Sequence, residues 1–297
     1  MSGLPSPVDV REVGPRDGLQ AEAPVDVATR VAMIESLLDA GVTHIEVAAF
    51  VSPRAVPAMA GAGDVLASVP RRAGVVYAAL VPNVKGAELA LGAGVDELTV
   101  TVSASETYSR RNVRMSVEES IVAAADICAV AGGVPADVIV SCAFGSPYEG
   151  DIAPDEVAAL GRRLAEQGAA RVTYADTTGM ATPRRIDALV DLTGADIGLH
   201  LHDTRGTALV NAYAALLRGV RRFDTAIGGL GGSPFASGAA GNLGTEDLVH
   251  LLDDLGIETG IDLERLIAVS REVAGVVDHD VPSRVAGAGR RSTPAAG

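Results

Sequence analysis

Eight times along the chain, a short Val/Ile/Thr-rich run is followed by an Ala/Leu-rich stretch with helical periodicity. No other feature of the sequence constrains the fold as tightly. The runs Val8–Val13, Thr43–Ala48, Val75–Leu80, Glu97–Val102, Asp137–Cys142, Arg171–Ala175, Ile197–Leu201 and Arg222–Ile227 each predict a buried strand. Helices are predicted over 26–39, 54–68, 84–92, 116–131, 154–167, 183–192, 206–218 and 245–254. Several helices stop at a glycine that precedes the next strand by a few residues: Gly41, Gly94, Gly168 and Gly219. Glycine just past a helix takes the left-handed conformation at no steric cost, so this junction marks a turn from helix into strand.

Alternating strands and helices with no break in composition predict one closed α/β barrel, the (β/α)8 or TIM type, over residues 1–280. A doubly wound open sheet is the alternative. It is disfavoured because chemistry-bearing residues on the first, second, seventh and eighth strands would have to meet, and only closure makes the first and last strands neighbours. A short further helical segment is expected after the last pair. Residues 281–297, rich in Pro, Gly, Ser and Ala and without hydrophobic periodicity, are expected to form a flexible tail.

Charge narrows the partners. The 297 residues carry a formal net charge of −14, which argues against nucleic acid and favours cations. An anionic substrate would then need a local basic island. No window approaches the roughly 18 uninterrupted apolar residues of a membrane span, and the start, Met-Ser-Gly-Leu-Pro-Ser-Pro, lacks a signal-peptide pattern. The expectation is a soluble cytoplasmic protein without a membrane partner. Cys128 and Cys142, the only two cysteines, read as small buried hydrophobes.

Barrel chemistry sits where strands end at their carboxyl side. After the first strand, Gly14 and Pro15 break the chain and expose Arg16 and Asp17, either as a surface ion pair or as site residues. The seventh ends in Gly198-Leu-His200-Leu-His202-Asp203. Histidines two apart on a strand share a face, and two imidazoles with a nearby carboxylate suit a divalent metal; the competing reading is a satisfied pair of core histidines. Seven glycines lie between 228 and 244, more than a connector needs, so this loop reads as a lid or a backbone cradle. Within it Asn242 offers a neutral oxygen, or is simply a turn residue, and Thr245 looks like a helix N-cap. Glu46, inside an apolar strand, is costly unless paired, which makes it a candidate acid or base. Asp176 ends the sixth strand. After the fourth, Ser103–Arg114 is read as a loop whose Arg110, Arg111 and Asn112 form a basic island for an anion, or a solvated charged face. These residues suggest a metal-assisted barrel enzyme for an oxygen-rich anion, with Asp17, His200 and His202 as ligands, and name no reaction.

The run Val13-Gly-Pro-Arg-Asp-Gly-Leu-Gln20 closely resembles the opening signature of the hydroxymethylglutaryl-CoA lyase family. The resemblance continues through Phe50-Val-Ser-Pro53, Ser141-Cys-Ala143, Pro147-Tyr-Glu-Gly150, His200-Leu-His-Asp203, Gly228-Gly-Leu-Gly-Gly232 and Gly241-Asn-Leu-Gly-Thr-Glu-Asp-Leu-Val249, covering roughly residues 8–275. Related Claisen-condensing barrels such as isopropylmalate synthase begin Thr-Leu-Arg-Asp-Gly instead. The resemblance implies a (β/α)8 barrel, often a homodimer, holding Mg2+ or Mn2+ on residues matching Asp17, His200, His202 and Asn242. It implies retro-Claisen cleavage of 3-hydroxy-3-methylglutaryl-CoA to acetyl-CoA and acetoacetate, a step of leucine degradation and ketone-body formation. Arg16 then stabilises the thioester enolate, Glu46 matches the acid/base glutamate, and Asp176 matches an active-site aspartate. Gln20 falls in the signature on the substrate side.

Two departures stand out. The family carries a catalytic cysteine where this chain has Ser233, a far weaker acid than a thiol. A family lysine after Leu-Gln is replaced within Gln20-Ala-Glu-Ala23. Alternatives are a lyase of the same mechanism for another 3-hydroxy-3-carboxyalkyl thioester or hydroxy acid, or an acyl-CoA- and metal-binding homologue with little turnover.

Overall fold

The computed structural model describes residues 4–232 and 241–291. Among these residues, the strands β1 (Asp9–Glu12), β2 (His44–Ala49), β3 (Val76–Leu80), β4 (Glu97–Ser103), β5 (Ala136–Ser141), β6 (Arg171–Ala175), β7 (Gly198–His200) and β8 (Arg222–Thr225) pair in sequence order. Every pairing is parallel, and β8 closes onto β1 with Glu12 opposite Thr225. The chain is therefore a closed (β/α)8 barrel, as its alternation predicts.

The helices are α1 (Val27–Asp39), α2 (Ala62–Ser68), α3 (Val84–Ala93), α4 (Glu106–Asn112), α5 (Val117–Ala131), α6 (Pro154–Glu166), α7 (Pro183–Thr193), α8 (Ala208–Leu217), α9 (Thr245–Asp254), α10 (Leu263–Val277) and α11 (Arg284–Ala288). Their starts follow ordinary capping chemistry: Asp26 accepts from Thr29 N, and Ser116 with Glu119 forms a reciprocal capping box. Their ends follow the glycine rule. Gly41, Gly94, Gly168 and Gly219 all have positive φ, from 85° at Gly94 to 104° at Gly168. The core lies between the strands and the inner helix faces, where Ile34, Leu37, Ile45, Leu98, Leu199 and Leu248 are fully buried.

Four local expectations are corrected. The helix predicted over 54–68 is interrupted, because Gly61 sits at φ 76° between a 3-10 turn at Pro57–Met59 and α2. The Ser103–Arg114 stretch is not all loop: Ser105 accepts from Tyr108 N and starts α4. Thr245 is not the N-cap of α9. Gly244 holds that position, and the Thr245 hydroxyl donates to Glu12 instead. Finally, part of the segment read as a tail from residue 281 is ordered. Ser283 N bonds to Gly228 O, Val285 N bonds to Asp247 Oδ1, and α11 follows the Ser283 cap. Among the described residues, no helix is long and apolar enough to cross a membrane.

Candidate active site and metal centre

The first strand ends in a tight turn. Asp17 N and Arg16 N both bond back to Val13 O, which swings the two side chains over the barrel mouth. The Arg16 guanidinium, 5% exposed, donates through Nη1 to Asp17 Oδ1 at 2.7 Å and through Nε to Glu46. Glu46 comes from the centre of β2, where the register shifts between Glu46 and Ala48, and its other oxygen accepts from Thr99 of β4. Its carboxylate, fully buried inside a strand, is thus paired with a cation, which is what makes its burial tolerable.

Facing this pair are the two histidines. His200 ends β7, and His202 lies just beyond it in an isolated bridge with Asn242. Leu243 N to Leu201 O and Asp203 N to Gly241 O bracket that bridge, so the far end of the glycine loop runs alongside the chain just past β7. His200 Nε2 and His202 Nε2 stand 3.2 Å apart, and Asp17 Oδ2 is 3.8 Å from His200 Nε2. Asp17, His200 and His202 form a cluster whose ligand atoms all lie within 4.8 Å of one another. Burial opposes ionisation of Asp17, but the Arg16 guanidinium and the two imidazoles hold its carboxyl below the usual range.

This donor set fits a divalent cation. Ligands at about 2.1 Å on an octahedral ion leave neighbouring ligand atoms about 3.0 Å apart, close to the spacing of the two ring nitrogens. Asn242 donates from Nδ2 to Asp17 Oδ2 at 2.8 Å and to Leu230 O at 2.8 Å, while its buried Oδ1 has no partner among the described residues. The amide nitrogen faces Asp17, so turning the amide over would offer its oxygen, unused among the described residues, to the cluster as a fourth, neutral donor. Gly231 explains how the loop comes so close: a Cβ there would meet Asn242 Nδ2 at 2.4 Å, on a backbone with φ of 105°.

Asp176 follows β6. Its Oδ1 accepts from Met180 N and Ala181 N, its Oδ2 has no partner among the described residues, and burial pushes the carboxyl up to about 7. A cavity of about 560 Å³ opens onto the cluster; Gln20, Asn112, Arg16, Asp17, His200 and His202 line it. The two arginines of the expected basic island point to other partners. Arg110 pairs with Glu106 at 2.7 Å, and Arg111 lies over the Tyr148 ring at 4.5 Å. Ser233 lies outside the described residues. The two cysteines do not replace it: Cys128 is half-buried, and burial pushes the Cys142 thiol up to about 12.

Two acids near the site escaped the reading of the sequence. Glu12 takes Gly14 N, Ile227 N and the Thr245 hydroxyl, tying the first turn to the start of the glycine loop. Asp224 lies 3.1 Å from His200 Nδ1. The signal for both was the one used for Glu46, a carboxylate inside an otherwise apolar strand.

The HMGL-like family model matches residues 8–273. A hydroxymethylglutaryl-CoA lyase of Pseudomonas mevalonii is 44% identical over 275 residues, 90% of this chain and 91% of that protein. A 3-hydroxy-3-isohexenylglutaryl-CoA/hydroxy-methylglutaryl-CoA lyase of Pseudomonas aeruginosa is 41% identical over 95% of this chain and 97% of its own length. Among solved structures, an HMG-CoA lyase from Acinetobacter baumannii in complex with coenzyme A and 3-methylmalate superposes with a TM-score of 0.91 at 40% identity, covering 96% of each chain. A match over nearly the whole barrel makes this chain a member of the HMGL-like family.

Proposed function

We propose that the protein is a carbon–carbon lyase that cleaves 3-hydroxy-3-methylglutaryl-CoA to acetyl-CoA and acetoacetate. One observation carries the reading: Asp17, His200 and His202 converge, with the Asn242 amide against Asp17, beside a buried Arg16–Glu46 pair. The names of the relatives support the substrate.

Asp17, His200, His202 and Asn242 would hold the cation, Mg2+ or Mn2+ by their chemistry. When bound, such an ion supplies Lewis acidity toward hydroxyl and carboxylate oxygens. The protein's own groups handle protons and charge. Cleavage removes the proton of the tertiary hydroxyl, breaks the bond between C2 and C3, and leaves a ketone and a thioester enolate. The carbon of that enolate then takes a proton. Glu46, anchored by Arg16 and Thr99, is the acid/base group, and Asp176 is a second carboxyl, one oxygen of which has no partner among the described residues. Arg16 presents fixed N–H donors where enolate charge develops, so no reorganisation is needed as the bond breaks. Gln20 and Asn112 hold the thioester in the cavity. Arg110 and Arg111 belong to the same proposal as phosphate contacts once they leave Glu106 and the Tyr148 ring, and Ser233 belongs to it by its match to the family's catalytic cysteine. A homodimer in the cytoplasm completes it.

A second reading has its own support: the cavity wall includes Val81, Val100, Ala124 and Ile127, an apolar surface suited to a branch longer than methyl at C3. Incubating the protein with Mg2+ and a panel of 3-hydroxy-3-alkylglutaryl thioesters, and following acetyl-CoA by mass spectrometry, tests both. Release from the methyl compound is expected. Release only from longer branches moves the substrate, and no release from any member refutes the lyase reading.

A further inference from the structure

Beneath the metal cluster, the barrel interior holds buried charges that the proposed chemistry does not use. Arg11 of β1, 3% exposed, lays its fork on Asp224 of β8, with Nε to Oδ1 at 2.8 Å and Nη2 to Oδ2 at 2.8 Å. Its Nη1 meets Glu97 Oε1 at 3.0 Å and Asp137 Oδ2 at 2.8 Å. Apolar residues could fill this volume at no loss of stability, since desolvating ion pairs costs about as much as they return. The arrangement therefore calls for a use beyond packing.

Strand register supplies one. Arg11 lies opposite Asp224, and Asp224 lies opposite His200, so the three form a row across β1, β8 and β7. Asp224 Oδ2 sits 3.1 Å from His200 Nδ1. Two Arg11 N–H groups already point at the Asp224 oxygens, so the carboxylate can only accept, and the hydrogen of this contact belongs to the ring. A neutral ring with its hydrogen on Nδ1 has a bare lone pair on Nε2, the atom facing His202 and Asp17.

We propose that Asp224, gripped by Arg11, is a positioning residue that locks His200 in the Nδ1–H tautomer and so presents Nε2 to the divalent cation. This rests on reading Asp17, His200 and His202 as the metal site. Carboxylates behind ligating histidines act this way in metal sites generally, and their loss weakens metal binding about 10- to 100-fold.

Asp224→Asn keeps the shape but turns one acceptor into a donor. Either orientation of the amide opposes an Arg11 N–H, and the amide can then donate to Nδ1 and drive the ring hydrogen to Nε2. Arg11→Lys keeps the charge and loses the two-pronged grip. Two quantities are read on the full chain: the His200 tautomer, from ring 15N shifts of metal-free protein above the ring's titration, and Mn2+ affinity by electron paramagnetic resonance. His200 is assigned by comparison with His200→Gln. We expect Nδ1–H in the wild type, Nε2–H in Asp224→Asn with Mn2+ affinity about 10- to 100-fold weaker, and a mixture with a smaller loss in Arg11→Lys. If Asp224→Asn does not fold, Arg11→Lys decides by the same two readouts. A wild type that binds Mn2+ while its tautomer is indifferent to these changes overturns this inference alone. A wild type that binds no Mn2+ overturns the metal reading beneath it.

Discussion

His202 contributes one ring nitrogen to the cluster, 3.2 Å from that of His200. His202→Ala should therefore abolish Mn2+ binding and metal-dependent cleavage while leaving the circular-dichroism spectrum unchanged; retained cleavage would refute the ligand assignment. Arg16 is a different case, because its Nη1 and Nε reach Asp17 and Glu46 in two directions at once. Arg16→Lys keeps the charge beside Glu46 but cannot fork, so kcat should fall about 100-fold with a smaller change in KM. A rise in KM alone would make Arg16 a substrate anchor. At position 233 the argument is one of acidity: a thiol exchanges protons near neutral pH and an alcohol does not. Ser233→Cys should accordingly raise turnover of the methylglutaryl thioester, and no gain would mean that proton delivery in this chain runs through other groups.

At the scale of elements, Asp17, His200 and His202 were legible because strand ends and period-two spacing place them. Asn242 was visible only as an oxygen in a loop, since the bridge that seats it beside His202 pairs segments forty residues apart in sequence. The α4 helix was hidden by its charged residues, although Ser105 was a readable cap. Thr245 failed as a cap because the helix begins one residue earlier than its hydroxyl needs: Gly244 is the cap and Thr245 is already helical. The next residue, Glu246, shows what a buried carboxylate means for stability. It accepts from Gly228 N at the foot of the glycine loop, and burial pushes it up to about 8 from the ordinary 4.5. A carboxyl raised on folding holds its proton in the native state after the unfolded chain has lost it, so the native state is stabilised below about 4.5 and loses that advantage as pH rises toward 8. Between these limits this group weakens stability by at most about 1.4 kcal/mol per pH unit. Glu246→Gln should flatten the decline, measured as urea midpoints across that range; an unchanged slope would mean that Glu246 is ionised in the folded protein.

For the molecule as a whole, the alternation of strands and helices determined the architecture from sequence, because each junction glycine and each apolar run acts locally. Closure was inferred from where the chemistry had to meet, and the β1–β8 pairing fulfils it. The same closure would make the cation a cross-link between distant parts of the chain: Asp17 follows β1, His200 ends β7 with His202 just beyond it, and Asn242 lies at the far end of the glycine loop. A ligand that binds the folded chain and not the unfolded one stabilises it by about 2.7 kcal/mol at one hundred times its dissociation constant. Spread over an unfolding entropy of about 2.1 cal/mol/K per residue, that raises the melting temperature of a chain this long by about 4 °C. Saturating Mn2+ should produce such a shift, and EDTA should reverse it. His202→Ala should melt at the same temperature with and without the ion, because three segments no longer share it. Equal shifts in wild type and variant would place the stabilising ion elsewhere on this acidic surface and separate the four residues from the role assigned to them.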